Sequence, residues 1–116
     1  MMTELIKIVT EATEVEKREA YASFGDLHSR NEGYGVLAEE IDEAQEQIRN
    51  MMHYFDRLLR VIRCDLRELG SDLGQIRRSA QLTACECIQV AAVAQRFLDL
   101  IDKEKRNESV HAGDCG

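Results

Sequence analysis

Apolar residues recur at helical spacing along most of the chain and divide it into three predicted helices. These helices cover residues 3–22, about 31–70 and 72–105. Residues 23–30 break the pattern and predict a loop. Ser29 or Asn31 can cap the second helix, and Glu32 is placed for a capping box with Ser29. The pattern therefore predicts an all-α fold, and we expect the helices to pack as an antiparallel bundle.

A coiled-coil-like row of apolar residues, called the seam below, continues the second helix. Its members alternate at spacings of four and three residues: Ile48, Met52, Phe55, Leu59, Ile62, Leu66 and Leu69. Leu73 and Ile76 keep the same phase across Gly70, so either one long helix continues or two helices meet there. Because Ser71 and Asp72 are good N-caps, we expect a break between two helices.

The composition also favours a helical bundle. The 116 residues include no Pro and no Trp, with three Phe and three Tyr, which disfavours a β-sandwich built on aromatic and β-branched strands. The length predicts one domain, residues 1–106. The polar, Gly-containing residues 107–116 predict a disordered tail.

Charge, apolar runs and cysteines limit the partners and the location. A net charge of −7 and a pI near 5.0 argue against binding to a nucleic acid polymer, which depends on neutralising phosphates. No apolar run approaches the roughly 18 residues of a transmembrane helix, and the N-terminus lacks a signal-peptide pattern. The four cysteines have no metal-ligand spacing and predict reduced thiols. We therefore expect no membrane partner and a cytoplasmic location.

Carboxylates fall within or beside the apolar faces of two predicted helices. The inward face of the second helix consists of Leu37, Ile41, Ala44 and Ile48. Glu40 and Glu43 lie on the edge of that face, while Glu86 and Gln89 fall inside the apolar stripe of the last helix. Half-buried carboxylates are costly unless a cation satisfies them. These positions are therefore the first candidates for a function.

If the two helices pack antiparallel, Glu40, Glu43, Glu86 and Gln89 converge. Such an oxygen-rich, roughly octahedral set suits Mg²⁺, with Mn²⁺ as an alternative. A divalent ion there could promote attack of water on a phosphoanhydride. A di-iron centre is disfavoured because the residue three positions after Glu86 is Gln rather than His. The competing interpretation is a Glu-rich helix whose carboxylates merely face solvent.

Two motifs resemble those of a known family. Residues 39–43, Glu-Glu-Ile-Asp-Glu, match the E-E-x-x-E motif of the MazG-like, all-α nucleoside triphosphate pyrophosphohydrolases, and residues 86–97 resemble their second, E-x-x-D motif. Residues 31–37 are similar to the lead-in of phage and bacterial members, and the resemblance covers about residues 24–102. It implies an all-α bundle completed by oligomerisation, as a homodimer or a homotetramer.

The resemblance also implies an activity and residue roles. It implies hydrolysis of (deoxy)nucleoside triphosphates to monophosphate and pyrophosphate, in a house-cleaning role, with Mg²⁺ held by Glu40, Glu43 and Glu86. Glu39 would orient or deprotonate the attacking water. Two features depart from the family: Gln89 replaces an Asp, so one anionic ligand is missing, and the gap between the motifs is longer than usual.

Arg96 and the seam leave two further interpretations open. Arg96, ten residues after Glu86, lies near the predicted inward face, where it could meet a substrate phosphate as a fixed cation. Alternatively, its side chain points outward and forms a salt bridge. The alternative to an enzyme is a non-catalytic, coiled-coil-like interaction protein with a decayed metal site. The seam favours that alternative, and Gln89 is compatible with a decayed site.

Overall fold

The computed structural model describes residues 2–64 and 67–115, with the backbone alone for Glu68 and residues 109–115. The described residues form three helices and no strand: α1 (Met2–Phe24), α2 (Arg30–Cys64) and α3 (Arg67–Cys115). This confirms the predicted all-α fold and the loop between the first two helices. None of the described helices is long and apolar enough to cross a membrane.

A glycine in the left-handed conformation ends α1. Gly25 has φ of 72°, and its N–H donates to the carbonyl of Tyr21 at 2.9 Å. This bond satisfies one of the carbonyls that the end of a helix leaves unpaired. The chain then turns, and Leu27 is buried at 4% exposure.

Ser29, one of the two predicted caps, begins α2. Its Oγ accepts a hydrogen bond from the N–H of Glu32 at 3.0 Å. The Glu32 carboxylate accepts a hydrogen bond from the N–H of His28 at 3.3 Å, one residue earlier than in a capping box. The N-cap was therefore readable from the sequence, whereas the reciprocal bond is shifted by one residue.

α3 is continuous through Gly70, so the predicted break there is wrong. The ends of α2 and α3 lie at Cys64 and Arg67 instead. Among the described residues, a Cβ at Gly70 would meet nothing within 4 Å, and a long helix tolerates the ~1 kcal/mol cost of one glycine. Asp72 is 4% exposed and its Oδ2 lies 3.7 Å from Nε of Arg57 on α2. Asp72 thus pairs with a neighbouring helix and caps no helix.

The fold divides into two compact units. Unit 1 comprises the described residues of Met1–Ala38 and Ile88–Gly116, and unit 2 comprises those of Glu39–Cys87. Unit 2 is therefore a hairpin of two helical segments, while unit 1 includes α1 and the two remaining segments of α2 and α3. The helical backbone of α3 extends through residues 107–115, where the polar composition predicts a disordered tail. This segment contains no proline that would end the helix.

In unit 2, the buried face of α2 differs from the predicted seam. Its buried or half-buried apolar residues are Ala44, Met51, Tyr54, Leu58 and Val61. The seam residues of α2 are instead 39% to 65% exposed: Ile48, Met52, Phe55, Leu59 and Ile62. Both rows follow helical spacing, so periodicity alone does not decide which row another helix of the same chain covers. Leu66, another seam position, lies outside the described residues.

Within unit 1, a notch at Gly33 accommodates the ring of Phe97. Gly33 is buried, and a Cβ built on it would lie 2.8 Å from both Cδ2 and Cε2 of that ring. At Gly35, two residues further along α2, a Cβ would meet no atom of the described part of the chain within 4 Å. The first glycine therefore permits a close approach, whereas the second has no such packing role.

We expect Gly33→Ala and Gly35→Ala to change stability in opposite directions. A glycine inside a helix costs about 1 kcal/mol relative to Ala, so Gly35→Ala should stabilise the protein by up to that amount. Gly33→Ala must displace the Phe97 ring, and overpacking of this kind costs about 1–3 kcal/mol, which outweighs the gain in helix propensity. Urea unfolding followed by circular dichroism measures both variants. Equal stabilisation by the two would contradict a packing role for the notch.

Candidate functional site

Three glutamates of unit 2 converge, Glu40 and Glu43 from α2 and Glu86 from α3. One carboxylate oxygen of each lies within 4.8 Å of the other two. Glu40 and Glu86 are half-buried, and Glu43 is exposed. The structure thus brings together the three carboxylates that the sequence predicts as metal ligands, called the triad below.

The helical hairpin accounts for this convergence. Residues three apart on a helix lie on the same side, with Cβ atoms about 5–6 Å apart, so Glu40 and Glu43 are neighbours on α2. Ala44 on α2 and Ser79 on α3 are buried, at 6% and 5% exposure. The folded hairpin places Glu86 of α3 within reach of the pair on α2.

The electrostatics of the triad disfavour full ionisation. Burial raises the pKa of Glu40, and the charges of Glu43, Glu86 and Glu39 raise it further. Burial also raises the pKa of Glu86, together with the charge of Glu43 and a hydrogen bond with that residue. Both carboxylates are therefore less stable as anions than an isolated glutamate, and a cation among them would offset the repulsion.

The donor set of the triad fits a divalent cation. Carboxylate oxygens are ligands that Mg²⁺ and Mn²⁺ prefer. The triad oxygens lie within 4.8 Å of one another, so the three side chains could converge on one ion. Such an ion would keep coordination positions for water and for substrate oxygens.

Glu39, the predicted catalytic residue, is exposed and adjoins the triad. Its charge contributes to the raised pKa of Glu40, so its carboxylate lies within electrostatic range of the cluster. A carboxylate in that position can accept a proton from a water molecule held nearby. The assignment of Glu39 as the base stays a prediction.

Gln89 is half-buried in unit 1 and hydrogen bonded to α1. Its Nε2 donates to the Glu16 carboxylate at 2.7 Å. This bond occupies the amide nitrogen and leaves the amide oxygen, which is the atom that would coordinate a cation. Its assignment as a fourth metal ligand stays a prediction.

Arg96 lies in the interior of unit 1 at 5% exposure. Its Nη2 donates to the carbonyl of Gly25 at 3.0 Å, and its Cζ lies 5.4 Å from the centroid of the Tyr21 ring. The burial agrees with the predicted inward position and does not agree with an outward salt bridge. Contact between Arg96 and a substrate phosphate stays a prediction.

A tyrosine–aspartate pair near Arg96 has no counterpart in the sequence analysis. Tyr21 donates its hydroxyl to Oδ2 of Asp99 at 2.6 Å, and Gln95 donates to Oδ1 at 3.0 Å. Burial and the bond to Asp99 raise the pKa of Tyr21 to about 12. Burial alone would raise the pKa of Asp99, but the bonds from Tyr21 and Gln95 and the charge of Lys17 lower it. Tyr21 and Asp99 are 78 residues apart, so no local pattern connects them.

We compared the chain with protein-family models, curated proteins and solved structures, and none of them matched it. The family resemblance therefore rests only on the sequence itself, on the two motifs and the lead-in at residues 31–37.

Proposed function

We propose that the chain is a Mg²⁺-dependent pyrophosphohydrolase of the MazG-like type that acts on (deoxy)nucleoside triphosphates. The products would be a nucleoside monophosphate and pyrophosphate, in a house-cleaning role in the cytoplasmic nucleotide pool. The observation that supports this proposal is the convergence of Glu40, Glu43 and Glu86 within 4.8 Å. These residues come from the two motifs on which the resemblance rests.

The residues of unit 2 have distinct roles in this proposal. Glu40, Glu43 and Glu86 hold the cation, and Mn²⁺ can take the place of Mg²⁺. When bound, the ion neutralises charge on the phosphate oxygens and polarises the phosphorus–oxygen bonds. Glu39 accepts a proton from water as the water oxygen bonds to the α-phosphorus. The bond from that phosphorus to the bridging oxygen breaks, and pyrophosphate leaves with the bonding electrons.

Assembly as a homodimer or a homotetramer is part of the proposal. The seam residues of α2 support it, because five large apolar side chains in one row are 39% to 65% exposed. Exposed apolar rows of this kind usually mark interaction surfaces. The seam residues alternate at the four- and three-residue spacing of a coiled coil, so the seam of a second copy of the chain could pack against them.

The same row favours a second candidate function. A non-catalytic interaction protein would also use the seam, with the acidic residues of α2 facing a basic partner and with a decayed metal site. This candidate differs from the first in one respect that is easy to measure. It predicts no response of the protein to Mg²⁺.

A panel of nucleoside triphosphates and deoxynucleoside triphosphates tests the proposal directly. Purified protein is incubated with each compound and Mg²⁺, and then with Mn²⁺, and pyrophosphate and monophosphate are quantified. Release of both products supports the proposed reaction. Release of orthophosphate and a nucleoside diphosphate would mean cleavage at the β–γ bond and would contradict it. Silence across the panel with both ions would favour the interaction protein.

A further inference from the structure

Unit 1 contains a cavity of about 170 Å³ next to the buried Arg96. One water molecule needs only about 15 Å³ by the same kind of measure, so the cavity has room for a small polyatomic ligand. Three of the side chains that line it are cations: Arg96, Lys103 and Arg106. Two are carboxylates, Asp26 and Asp99. Although the chain as a whole carries a net charge of −7, this cavity has one more cation than anions.

Arg96 is the buried polar group of the cavity, and its hydrogen bonding is incomplete. A guanidinium has five N–H donors. Among the described residues, Nε of Arg96 is buried without any acceptor, and Nη2 donates to the Gly25 carbonyl. No carboxylate of the described part of the chain forms an ion pair with it. A buried cation in this state is costly, and an oxyanion bound beside the guanidinium would reduce the cost.

The two carboxylates of the cavity are already engaged. Asp99 accepts hydrogen bonds from Tyr21 and Gln95, which use both of its oxygens. Asp26 lies 3.5 Å from Nζ of Lys103, and these two side chains are 66% and 61% exposed. Exposed pairs of this kind contribute little, about 0–1 kcal/mol, so Lys103 is free to turn toward a ligand. Neither carboxylate pairs directly with Arg96, and three cations against two carboxylates leave the cavity with a net positive charge.

We propose that this cavity binds a phosphate group without a metal ion. Arg96 supplies the fixed donor, held in place by the Gly25 carbonyl and the Tyr21 ring. Lys103 and Arg106 are exposed cations that also line the cavity. Guanidinium donors suit phosphate oxygens because the planar fork can make two parallel hydrogen bonds. The site involves residues of unit 1 alone and does not depend on the hydrolytic activity proposed above.

Phosphate titration of the full-length protein in EDTA tests this site. Inorganic phosphate and a nucleoside monophosphate are titrated separately by calorimetry, with sodium chloride of matched ionic strength as the blank. We expect saturable binding of at least one of the two. Equal affinity for both would identify free phosphate as sufficient, and at least about tenfold tighter binding of the monophosphate would identify a nucleotide phosphate. No binding above the salt blank would overturn the proposal.

Variants separate a built site from general charge attraction. Lys103→Gln with Arg106→Gln should weaken phosphate binding at least tenfold, whereas Lys105→Gln, an exposed lysine on the same helix that does not line the cavity, should not change it. Equal weakening by Lys105→Gln would overturn the proposal. Arg96→Lys keeps the charge but lacks the fork, so it should also weaken binding at least tenfold while circular dichroism remains that of the parent. Unchanged binding in that folded variant would likewise overturn it.

Since the titration contains no divalent cation and no triphosphate, its result is independent of the hydrolysis assay. If the protein binds phosphate but releases no pyrophosphate in the hydrolysis assay, only the proposed hydrolase is contradicted.

Discussion

Glu43→Gln is expected to lower Mg²⁺-dependent release of pyrophosphate to about a hundredth of the parent rate or less. The substitution keeps the size of the side chain and removes one of three charges that would hold the cation. Loss of a single preorganised electrostatic contact at a reaction centre typically lowers kcat by about 10²–10³-fold. We expect Glu40→Gln to have an effect of the same size, since its carboxylate belongs to the same triad. Steady-state rates at saturating triphosphate, with Mg²⁺ varied, measure the effect.

Glu46→Gln is the matched control for this experiment. Glu46 is an exposed glutamate of α2, three residues after Glu43, and it is not part of the triad. Like Glu43→Gln, the Glu46→Gln substitution removes one negative charge from α2. Because Glu46 is a surface residue, the rate of this variant should stay within about twofold of the parent rate. Equal losses in Glu43→Gln and Glu46→Gln would point to a general effect of charge and would remove the triad from the mechanism.

Mg²⁺ is expected to reverse the order of thermal stability of Glu43→Gln and the parent protein. At 100 times its Kd, an ion that binds only the folded protein adds about 2.7 kcal/mol to the free energy of unfolding. For a chain of this size that corresponds to a rise in Tm of roughly 10 °C. In EDTA, however, removal of a like charge beside Glu40 should stabilise the protein by about 0.5 kcal/mol. Glu43→Gln should therefore melt above the parent in EDTA and below it in Mg²⁺.

The sign of the pH dependence follows from the raised pKa values of Glu40 and Glu86. A carboxyl with a pKa raised in the folded state contributes stability below its unfolded pKa, and this contribution is lost as pH rises through the folded value. The repulsion therefore costs most at neutral pH. The advantage of Glu43→Gln in EDTA should shrink as pH falls toward the ordinary range of a glutamate. An advantage that grows on acidification would contradict the assigned electrostatics.

Melting curves recorded from pH 4.5 to 8, with and without Mg²⁺, give the Tm values of the parent, Glu43→Gln and Glu46→Gln. An interaction protein without a metal site predicts the same Tm with and without the ion in all three proteins. Such a result would favour the second candidate function.

Local sequence signals identify the elements of this fold well. Helical periodicity, the glycine at position 25 and the Ser29 cap locate the first two helices because each signal acts within a few residues. The triad was also predictable. Glu40 and Glu43 are neighbours because they lie three residues apart on one helix, and Glu86 lies in the apolar stripe of another. The three residues therefore converge if these two helices pack together. The carboxylates could be identified before their distances were known.

Signals that depend on competition between distant segments could not be read in this way. Ser71 and Asp72 favour a helix start, but the contact between Asp72 and Arg57 exists only in the folded hairpin. α2 carries two apolar rows at helical spacing, and periodicity alone does not decide which of them is buried in the folded hairpin. Arg96 likewise has no local signal for its bond to Gly25, 71 residues away.

Gly25 serves two purposes at once, and this has a consequence for how the sequence can diverge. Its positive φ ends α1, and its carbonyl oxygen orients the guanidinium of Arg96. A residue with a side chain at position 25 would strain the turn and shift the acceptor, so a change there would be felt at position 96. In homologues, we expect the two positions to be retained together or replaced together. An alignment in which the two positions vary independently would show that the glycine at position 25 is not needed to orient Arg96 in the anion site.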